Sequence, residues 1–337
     1  MGIYDTSNYD FINRSSSRNY SEFNSRKVAF FTEGQWTGKV ERNYLDMRTE
    51  MAWMTALDAY HYNIYNDEIT QEYDLAICII PKKVPRFDVS RIRKHCKVVA
   101  SMQEGPHWFF QDYKLNDQIW FFNTLQEMDF LFVHNELDKQ YFEGLTGKEC
   151  KVMRSLMIED CIKDIPKGGG DRGIMIGGNF CHWYGGFDSY IIAQQFGEEV
   201  SVPTMGRKIE GEEHMENLNH LPYMGWGYWI GELSKRRIGI HLMRTHAAGT
   251  FALNCAYLGI PCIGYEGLDT QMICHPDLTV NVGDLTKAKN LAEKLRKDKE
   301  FFVYCSNTAL EKYNQEYTEK VWLQRFNEYE NSFGNNS

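Results

Sequence analysis

Short apolar runs that alternate with helical segments constrain the fold of this chain more than any other feature. In the first half, such runs lie at 28–31, 75–80, 98–102, 130–134 and 152–153. Helical patterns lie between several of them, at 42–60, 117–128 and 136–145. Wholly apolar strands that alternate with helices are typical of a parallel sheet with helices on both faces. The pattern therefore predicts an α/β, doubly wound fold.

The same alternation restarts after the glycine-rich segment 167–173, which we interpret as a linker. Further apolar runs lie at 174–176, 200–202, 238–242 and 261–263, with helical segments at 187–195, 228–235 and 250–258. Helix-rich segments at 285–297 and 307–329 end the chain. Because 337 residues exceed one comfortable core, we expect two domains. The predicted division is a flexible tail (1–25), an N-terminal Rossmann-like domain (26–166), a C-terminal Rossmann-like domain (172–305) and a C-terminal helix packing back across the domains (306–337).

Net charge and cysteine content limit the classes of protein to which this chain can belong. A net charge of −9 argues against non-specific coating of nucleic acid, which depends on phosphate neutralisation by Lys and Arg. The nine cysteines are scattered without a C-x-x-C pair, which fits reduced thiols in a cytosolic protein better than a disulfide framework or a zinc site. No apolar run approaches the roughly 18 residues that span a bilayer. We therefore expect a cytoplasmic protein without a membrane span.

The stretch from His241 to Gly264 is the most informative motif. It combines a strand that ends near Met243, a loop with Gly249, and a helix that starts at Thr250. The first turn of such a helix offers unpaired N–H groups to an anion. Arg244 follows the strand, where open α/β sheets bind ligands. A well-packed strand–loop–helix unit without a ligand is the alternative, but the combination of these residues favours a phosphate site.

In this stretch the chain resembles the GT-B glycosyltransferases, especially those of family 4. Their C-terminal domain carries a strand, a glycine loop, a helix and a Gly-x-Pro turn, which Gly259-Ile-Pro261 matches. The segment 221–226 also looks like the family segment that faces the donor's base. The resemblance covers about residues 172–290, and the first half only in its alternation. It implies two facing Rossmann-like domains with parallel sheets, and suggests a reaction that retains the anomeric configuration.

The resemblance also implies a nucleotide-sugar donor, which we expect to be a uridine diphosphate sugar. Family 4 enzymes place two glutamates eight residues apart, assigned to the donor sugar and to the ribose. Here His246 and Asn254 stand at those positions. Asn254 could still hydrogen-bond a ribose hydroxyl, and His246 a sugar hydroxyl or a phosphate. No D-x-D motif is present, so we expect no obligatory metal.

The family's Arg/Lys pair is missing after the first C-terminal strand, where the loop contains Gly178 and Asn179. Some cation must stabilise the departing diphosphate. We assign that role to Arg207, Lys208 or Arg244. The complete set of predicted donor-binding residues is Gly178, Asn179, Arg207, Lys208, Tyr223, Met224, Arg244, Thr245, His246, Gly249, Thr250 and Asn254.

The first half of the chain contains the residues that we predict to bind the acceptor. Its segment 34–39 has three residues between its glycines, so it is not a Walker A loop. In GT-B enzymes a glycine loop at this place lies under the reacting sugar, although an ordinary β–α turn has the same pattern. Helix 42–60 adds further candidates. The predicted acceptor-binding residues are Gln35, Trp36, Lys39, Arg48 and Trp53.

Glu104 and His107 are the predicted catalytic residues, because they follow the strand at 98–102. Glu104 could act as general base toward an acceptor hydroxyl, or only orient it. Many GT-B enzymes carry a catalytic or sugar-contacting histidine near this point. His107 could equally pack beside Pro106 and Trp108.

The acceptor is open to several interpretations. The stretch 82–97 has seven Lys or Arg against one Asp, which fits a solvated face or a phosphate-rich acceptor. Phage DNA glucosyltransferases have the GT-B architecture and act on extruded bases, so we favour a 5-hydroxymethylpyrimidine in phage DNA as acceptor. A surface polysaccharide or lipid-linked glycan is the rival acceptor. The missing glutamates leave a non-catalytic sugar-nucleotide-binding module as a further alternative, and an epimerase shares the fold.

Overall fold

The computed structural model describes residues 26–44, 46–81, 86–103, 113–181, 183–203, 208–246 and 248–333. The predicted tail at 1–25 lies outside these residues. So do three predicted site residues: Glu104, His107 and Arg207.

The first half of the chain forms one six-stranded sheet, which we call the N-terminal sheet. Its strand order is β2-β1-β3-β4-β5-β6, and each neighbouring pair is parallel. Its strands are β1 (Val28–Thr32), β2 (Tyr60–Asn63), β3 (Tyr73–Cys78), β4 (Cys96–Gln103), β5 (Phe130–Val133) and β6 (Cys150–Val152). The helices described with it are α1 (Thr49–Ala56), α2 (Val89–Arg93), α3 (Leu115–Gln126) and α4 (Glu136–Thr146). Buried apolar side chains cover both of its faces.

The second half forms the C-terminal sheet, with the order β12-β11-β10-β7-β8-β9 and parallel neighbours throughout. Its strands are β7 (Ile174–Ile176), β8 (Val200–Pro203), β9 (Leu218–Leu221), β10 (Ile238–His241), β11 (Cys262–Tyr265) and β12 (Thr279–Val280). Its helices are α5 (Gly186–Ala193), α6 (Trp226–Ser234), α7 (Thr250–Leu258), α8 (Asp269–Cys274) and α9 (Leu285–Lys297). The prediction of an α/β fold with two parallel sheets is confirmed.

Two helices end the described chain, α10 (Lys299–Glu316) and α11 (Glu319–Phe333), where the sequence pattern predicted one helix at 307–329. Tyr313 of α10 packs against Tyr257 of α7, with ring centroids 5.3 Å apart. Trp322 of α11 instead packs against Trp53 of α1, with centroids 4.9 Å apart. The Tyr313 hydroxyl also donates to Glu159, so α10 contacts both halves of the molecule.

The predicted helix at 42–60 was wrong at both ends. The helix covers only Thr49–Ala56, and Tyr60 begins the strand β2. Asp58 has a positive φ of 49°, which turns the chain between them. The sequence pattern did not predict this strand, because its residues Tyr-His-Tyr-Asn contain no apolar run.

Candidate functional site

The two sheets each reverse their strand order at one point, and ligands of open α/β sheets bind outside the carboxyl ends of the strands there. The reversal lies between β1 and β3 in the N-terminal sheet and between β7 and β10 in the C-terminal sheet. A cavity of about 490 Å³ is lined by residues of both halves. It includes His241 at the end of β10, Gly177 after β7, and the start of α7. Its size is that of a small-molecule site.

The start of α7 lines the cavity through Gly249 and Thr250. Gly249 has a φ of +67°, and a Cβ atom there would overlap the Thr270 hydroxyl, which donates to the Gly249 carbonyl at 2.9 Å. Only glycine fits this turn without strain. The first-turn N–H groups of the nine-residue helix have no intrahelical partner. Together with the positive end of the helix dipole, they suit an anion.

Two buried, neutral side chains lie beside this helix start. Asn254 is 3% exposed and His241 is 7% exposed, and both line the cavity. Burial lowers the pKa of His241 to about 4, so its imidazole is neutral at pH 7. Asn254 was predicted to bind the donor, whereas His241 was not. We call His241, Gly249, Thr250 and Asn254 the C-terminal wall.

Asp46, Arg48, Thr49 and Glu50 line the cavity from the first half of the chain, and we call them the N-terminal lip. Arg48 Nε donates to Asp46 Oδ1 at 3.0 Å, and the Thr49 hydroxyl donates to the Glu50 carboxylate. Neither terminal nitrogen of Arg48 makes a hydrogen bond with the described residues. Among the described lining residues, Arg48 carries the cationic side chain. It was predicted to bind the acceptor, whereas Asp46 and Glu50 were not predicted.

The backbone of the lip is strained. Thr49 has a φ of +48°, which is rare for a β-branched residue and costs about 1–3 kcal/mol. The segment that follows β6 holds it there: Thr49 N–H donates to the Leu156 carbonyl at 3.2 Å. Ile158 N–H donates to the Met47 carbonyl at 2.9 Å, and Arg48 forms an antiparallel bridge with Met157. These contacts fix the direction in which α1 begins.

The loop before α6 covers a further part of the cavity with Tyr223 and Met224, both predicted donor-binding residues. Tyr223 is 73% exposed, so its ring is available for stacking. The other predicted donor residues that the structure describes, apart from those of the C-terminal wall, lie outside the cavity lining. Lys208 is exposed and lies outside the cavity lining.

Arg244 was predicted to carry the phosphate charge, and in the structure it pairs with a carboxylate of the same half. Its guanidinium donates to Asp188 Oδ2 at 2.9 Å and lies outside the cavity lining. The Asp188 carboxylate raises the pKa of Arg244 still further above its ordinary value. Tyr265 hydroxyl also donates to Asp188, at 3.1 Å. The arginine is thus part of a polar cluster on α5 and β11.

Four other predicted donor residues lie outside the cavity lining. The Thr245 hydroxyl is buried and donates to the Trp183 carbonyl at 2.9 Å. Asn179 is buried after Gly178, and its Oδ1 accepts the Cys181 N–H at 3.1 Å. His246 Nδ1 lies 3.9 Å from Asp138 Oδ1 on α4, so it lies at the contact between the two halves.

Trp53 was predicted to bind the acceptor, and this was wrong. Its side chain is fully buried and packs against Phe132, His134 and Trp322. A ring in the core cannot contact an acceptor. The helix periodicity did not reveal this, because Trp322 lies far away in sequence.

The loop after β1 also lies outside the cavity lining. The Gln35 side chain donates to the Glu33 carbonyl at 3.1 Å. Trp36 stacks on His61, with centroids 3.9 Å apart. Lys39 pairs with Asp58 at 2.5 Å in an exposed position. Among the predicted acceptor residues, only Arg48 therefore reaches the cavity.

The described part of the basic stretch, residues 86–97, is largely engaged by the protein itself. Arg93 pairs with Asp129 at 2.9 Å and Lys97 with Asp74 at 2.7 Å. Arg91 donates to two backbone carbonyls, and Arg86 lies over the Trp120 ring. These contacts reduce the positive charge that this stretch offers to a phosphate-rich partner.

Comparison with solved structures identifies the architecture. Sucrose-phosphate synthase from Thermosynechococcus elongatus matches with a TM-score of 0.62 at 11% identity, over 92% of this chain and 99% of that chain. HepE from Anabaena, solved with UDP and glucose, matches with a TM-score of 0.60 at 9% identity, over 91% and 100%. S. aureus TarM, solved with UDP among its ligands, matches with a TM-score of 0.57 at 10% identity, over 75% of this chain and 54% of that chain. The chain has the GT-B fold.

No model of a known protein family matches the sequence, and comparison with curated proteins finds no match. Within the described residues, no helix combines the length and apolar character needed to cross a membrane.

Proposed function

We propose that this protein is a glycosyltransferase that moves a sugar from a uridine diphosphate sugar to a hydroxyl acceptor. The observation that carries the proposal is the cavity at the carboxyl ends of both sheets, with a helix N-terminus on one side and Arg48 and Glu50 on the other. The GT-B fold supports it, and the UDP bound to HepE and TarM supports the choice of donor.

In the proposed reaction, the acceptor oxygen forms a bond to the anomeric carbon while the bond from that carbon to the diphosphate breaks. Negative charge then develops on the diphosphate, and it needs fixed positive groups. The first-turn N–H groups of α7, beyond Gly249, provide one such group. Arg48 provides a full charge from the N-terminal lip, and its terminal nitrogens, which make no hydrogen bond with the described residues, suit a phosphate.

The acceptor hydroxyl must lose its proton. Glu104 and His107 remain our proposed catalytic residues from the sequence, and they lie outside the described residues. Among the described residues, Asp46 and Glu50 bring carboxylates to the cavity, and Asp46 is already paired with Arg48. Glu50 is therefore a second candidate to accept the proton or to orient the acceptor.

A 5-hydroxymethylpyrimidine in DNA stays a proposal for the acceptor. The intramolecular contacts of Arg86, Arg91, Arg93 and Lys97 count against it, since they engage the basic stretch that motivated it. A glycan acceptor needs no such basic surface. We therefore propose a glycan or another neutral polyol as an alternative acceptor, supported as well as the DNA base.

The test is incubation of the protein with UDP-glucose, UDP-galactose and UDP-N-acetylglucosamine, each with and without candidate acceptors. UDP release that depends on hydroxymethylated DNA or on a glycan, with a matching mass gain on that acceptor, supports the proposal and identifies the acceptor. Conversion of one UDP-sugar into another without acceptor would indicate an epimerase. Binding without turnover for any acceptor would indicate a sugar-nucleotide-binding module, and absence of binding would overturn the proposal.

A further inference from the structure

His241 ends strand β10 at the point where the C-terminal sheet reverses its strand order. It lines the cavity, and neither ring nitrogen has a hydrogen-bond partner among the residues that the structure describes. A buried polar group without a partner is costly, and such groups in native proteins need an explanation. A ligand that enters the cavity would supply the missing partner.

The surrounding residues leave room for this ring. A Cβ atom on Gly177 would lie 2.5 Å from His241 Cγ and 2.6 Å from Phe251 Cγ, so no larger residue fits there. Gly177 N–H donates to the Ile240 carbonyl at 2.8 Å, which holds the glycine beside the ring. Phe251 flanks the imidazole, with ring centroids 5.2 Å apart. The imidazole thus lies between a glycine backbone and a phenyl ring.

Other buried histidines of the described chain show that burial alone does not leave a ring unpaired. His275 is 2% exposed, and its Nε2 bonds to the Ala252 carbonyl at 3.0 Å. Both ring nitrogens of His61 have partners, the Thr32 hydroxyl and the Trp36 carbonyl, each at 2.8 Å. Neither histidine lines the cavity. Of these three histidines, the one that lines the cavity, His241, is the one whose two ring nitrogens both lack a partner among the described residues.

We propose that His241 is a donor-binding residue that hydrogen-bonds a hydroxyl group of the nucleotide sugar. The inference rests on the proposed function and adds a residue to its donor site. A neutral imidazole carries one N–H donor and one acceptor nitrogen. A hydroxyl can donate to the bare nitrogen or accept from the N–H, whereas phosphate oxygens only accept and can pair with the N–H alone.

Asn254 supports the choice of a hydroxyl, because its amide lies in the same cavity and makes no hydrogen bond with the described residues. His241 and Asn254 together present neutral donors and acceptors without a charge. The nitrogens of His241 are shielded from solvent in this structure. The side-chain torsion that turns an imidazole is broad, so the ring can turn to present a nitrogen to the cavity.

The test compares His241→Phe with His275→Phe by calorimetric titration with UDP-glucose and by thermal unfolding. We expect His241→Phe to weaken UDP-glucose binding about tenfold, the effect of losing one buried hydrogen bond, while its Tm stays that of the wild type or rises. His275→Phe should lower Tm, because the Ala252 carbonyl loses its partner, and should leave the affinity unchanged.

Titrations with UDP and with inorganic diphosphate locate the hydroxyl. Weaker binding of UDP-glucose alone places it on the transferred sugar, and equal weakening of UDP and UDP-glucose, with unchanged diphosphate binding, places it on the ribose. Weaker diphosphate binding would overturn the assignment in favour of a phosphate contact. Unchanged affinity for all three ligands in His241→Phe would also overturn it. If wild-type protein binds neither UDP nor UDP-glucose, the proposed function fails instead, and this assignment fails with it.

Discussion

The two sides of the cavity differ in charge. The C-terminal wall is neutral: His241 and Asn254 carry no charge at pH 7, and the helix start at Gly249 acts through backbone dipoles. The N-terminal lip carries Asp46, Arg48 and Glu50. The family glutamates that resemblance places on the C-terminal side are absent, while two carboxylates stand on the lip. Among the described lining residues, the charged side chains therefore belong to the first half of the chain, and the wall offers a neutral, shaped surface.

Gly249→Ala is the substitution that should disturb the C-terminal wall most. Both ends of α7 have a glycine in the left-handed region, Gly249 at +67° and Gly259 at +68°. Only at Gly249 would the added Cβ overlap a neighbour, Thr270, whereas at Gly259 the nearest atom is 3.5 Å away. We expect Gly259→Ala to cost about 1 kcal/mol of unfolding free energy from backbone strain, and Gly249→Ala about 3 kcal/mol. Urea unfolding measures both, and equal costs would contradict the role of the overlap.

The lip is tested by Arg48→Ala. Loss of a positive group that stabilises transition-state charge typically costs about 100- to 1,000-fold in turnover, and we expect a fall in that range for kcat/KM. Arg244→Ala is the matched control, because Asp188 engages its guanidinium outside the cavity. It should retain turnover within about threefold, the effect of an exposed ion pair. A larger loss of turnover for Arg244→Ala than for Arg48→Ala would indicate that Arg244, in the C-terminal half, is the cation that binds the phosphates.

Glu50→Gln separates the two carboxylates of the lip. If Glu50 accepts the acceptor proton, kcat should fall about 100-fold in this variant. Asp46→Asn should lower kcat by a smaller factor, because Asp46 acts only by positioning Arg48 through its Nε. Unchanged kcat in Glu50→Gln would leave Glu104 and His107 as the proposed catalytic residues.

The smallest expected effect concerns stability against pH. Burial lowers the pKa of both His241 and His275 to about 4, below the 6.5 of an unperturbed histidine. The unfolded chain therefore binds protons that the folded chain excludes, and stability falls as pH drops from 6.5 toward 4. Each histidine should cost about 1 kcal/mol at pH 5.5. Thermal unfolding between pH 7.5 and 5 should show a shallower loss in His241→Phe than in wild type, and an identical loss would contradict this.

The sequence predicts the interior of each sheet better than its edges. Strands β7 and β10, and helix α7, lie where the apolar pattern predicted them, because both faces of a central strand are buried. Strands β2, β9 and β12 were missed, and all three are edge strands. β2 and β9 contain polar residues, and β12 has only two residues, so none forms an apolar run.

The candidate site, like the sheets, was predicted only where a local sequence pattern marks its residues. Gly249 and Thr250, which line the cavity, were predicted because a glycine loop before a helix is a local signal, and Asn254 because it stands at the position of a glutamate in the resembled family. Asp46 and Glu50 resemble a solvated helix start in the sequence, and contacts with 156–158 bring them to the cavity. His241 reads as the end of an apolar strand, and its unpaired nitrogens depend on Gly177 and Phe251. Such long-range contacts leave no local pattern.

A crystal structure of the protein with UDP tests the central claim most directly, because UDP is common to all the proposed donors. We predict that UDP binds in the cavity, with its diphosphate within hydrogen-bond distance of the first-turn N–H groups of α7 and the Arg48 guanidinium on the opposite side. UDP bound elsewhere on the molecule, or absent from the cavity at saturating concentration, would contradict the account.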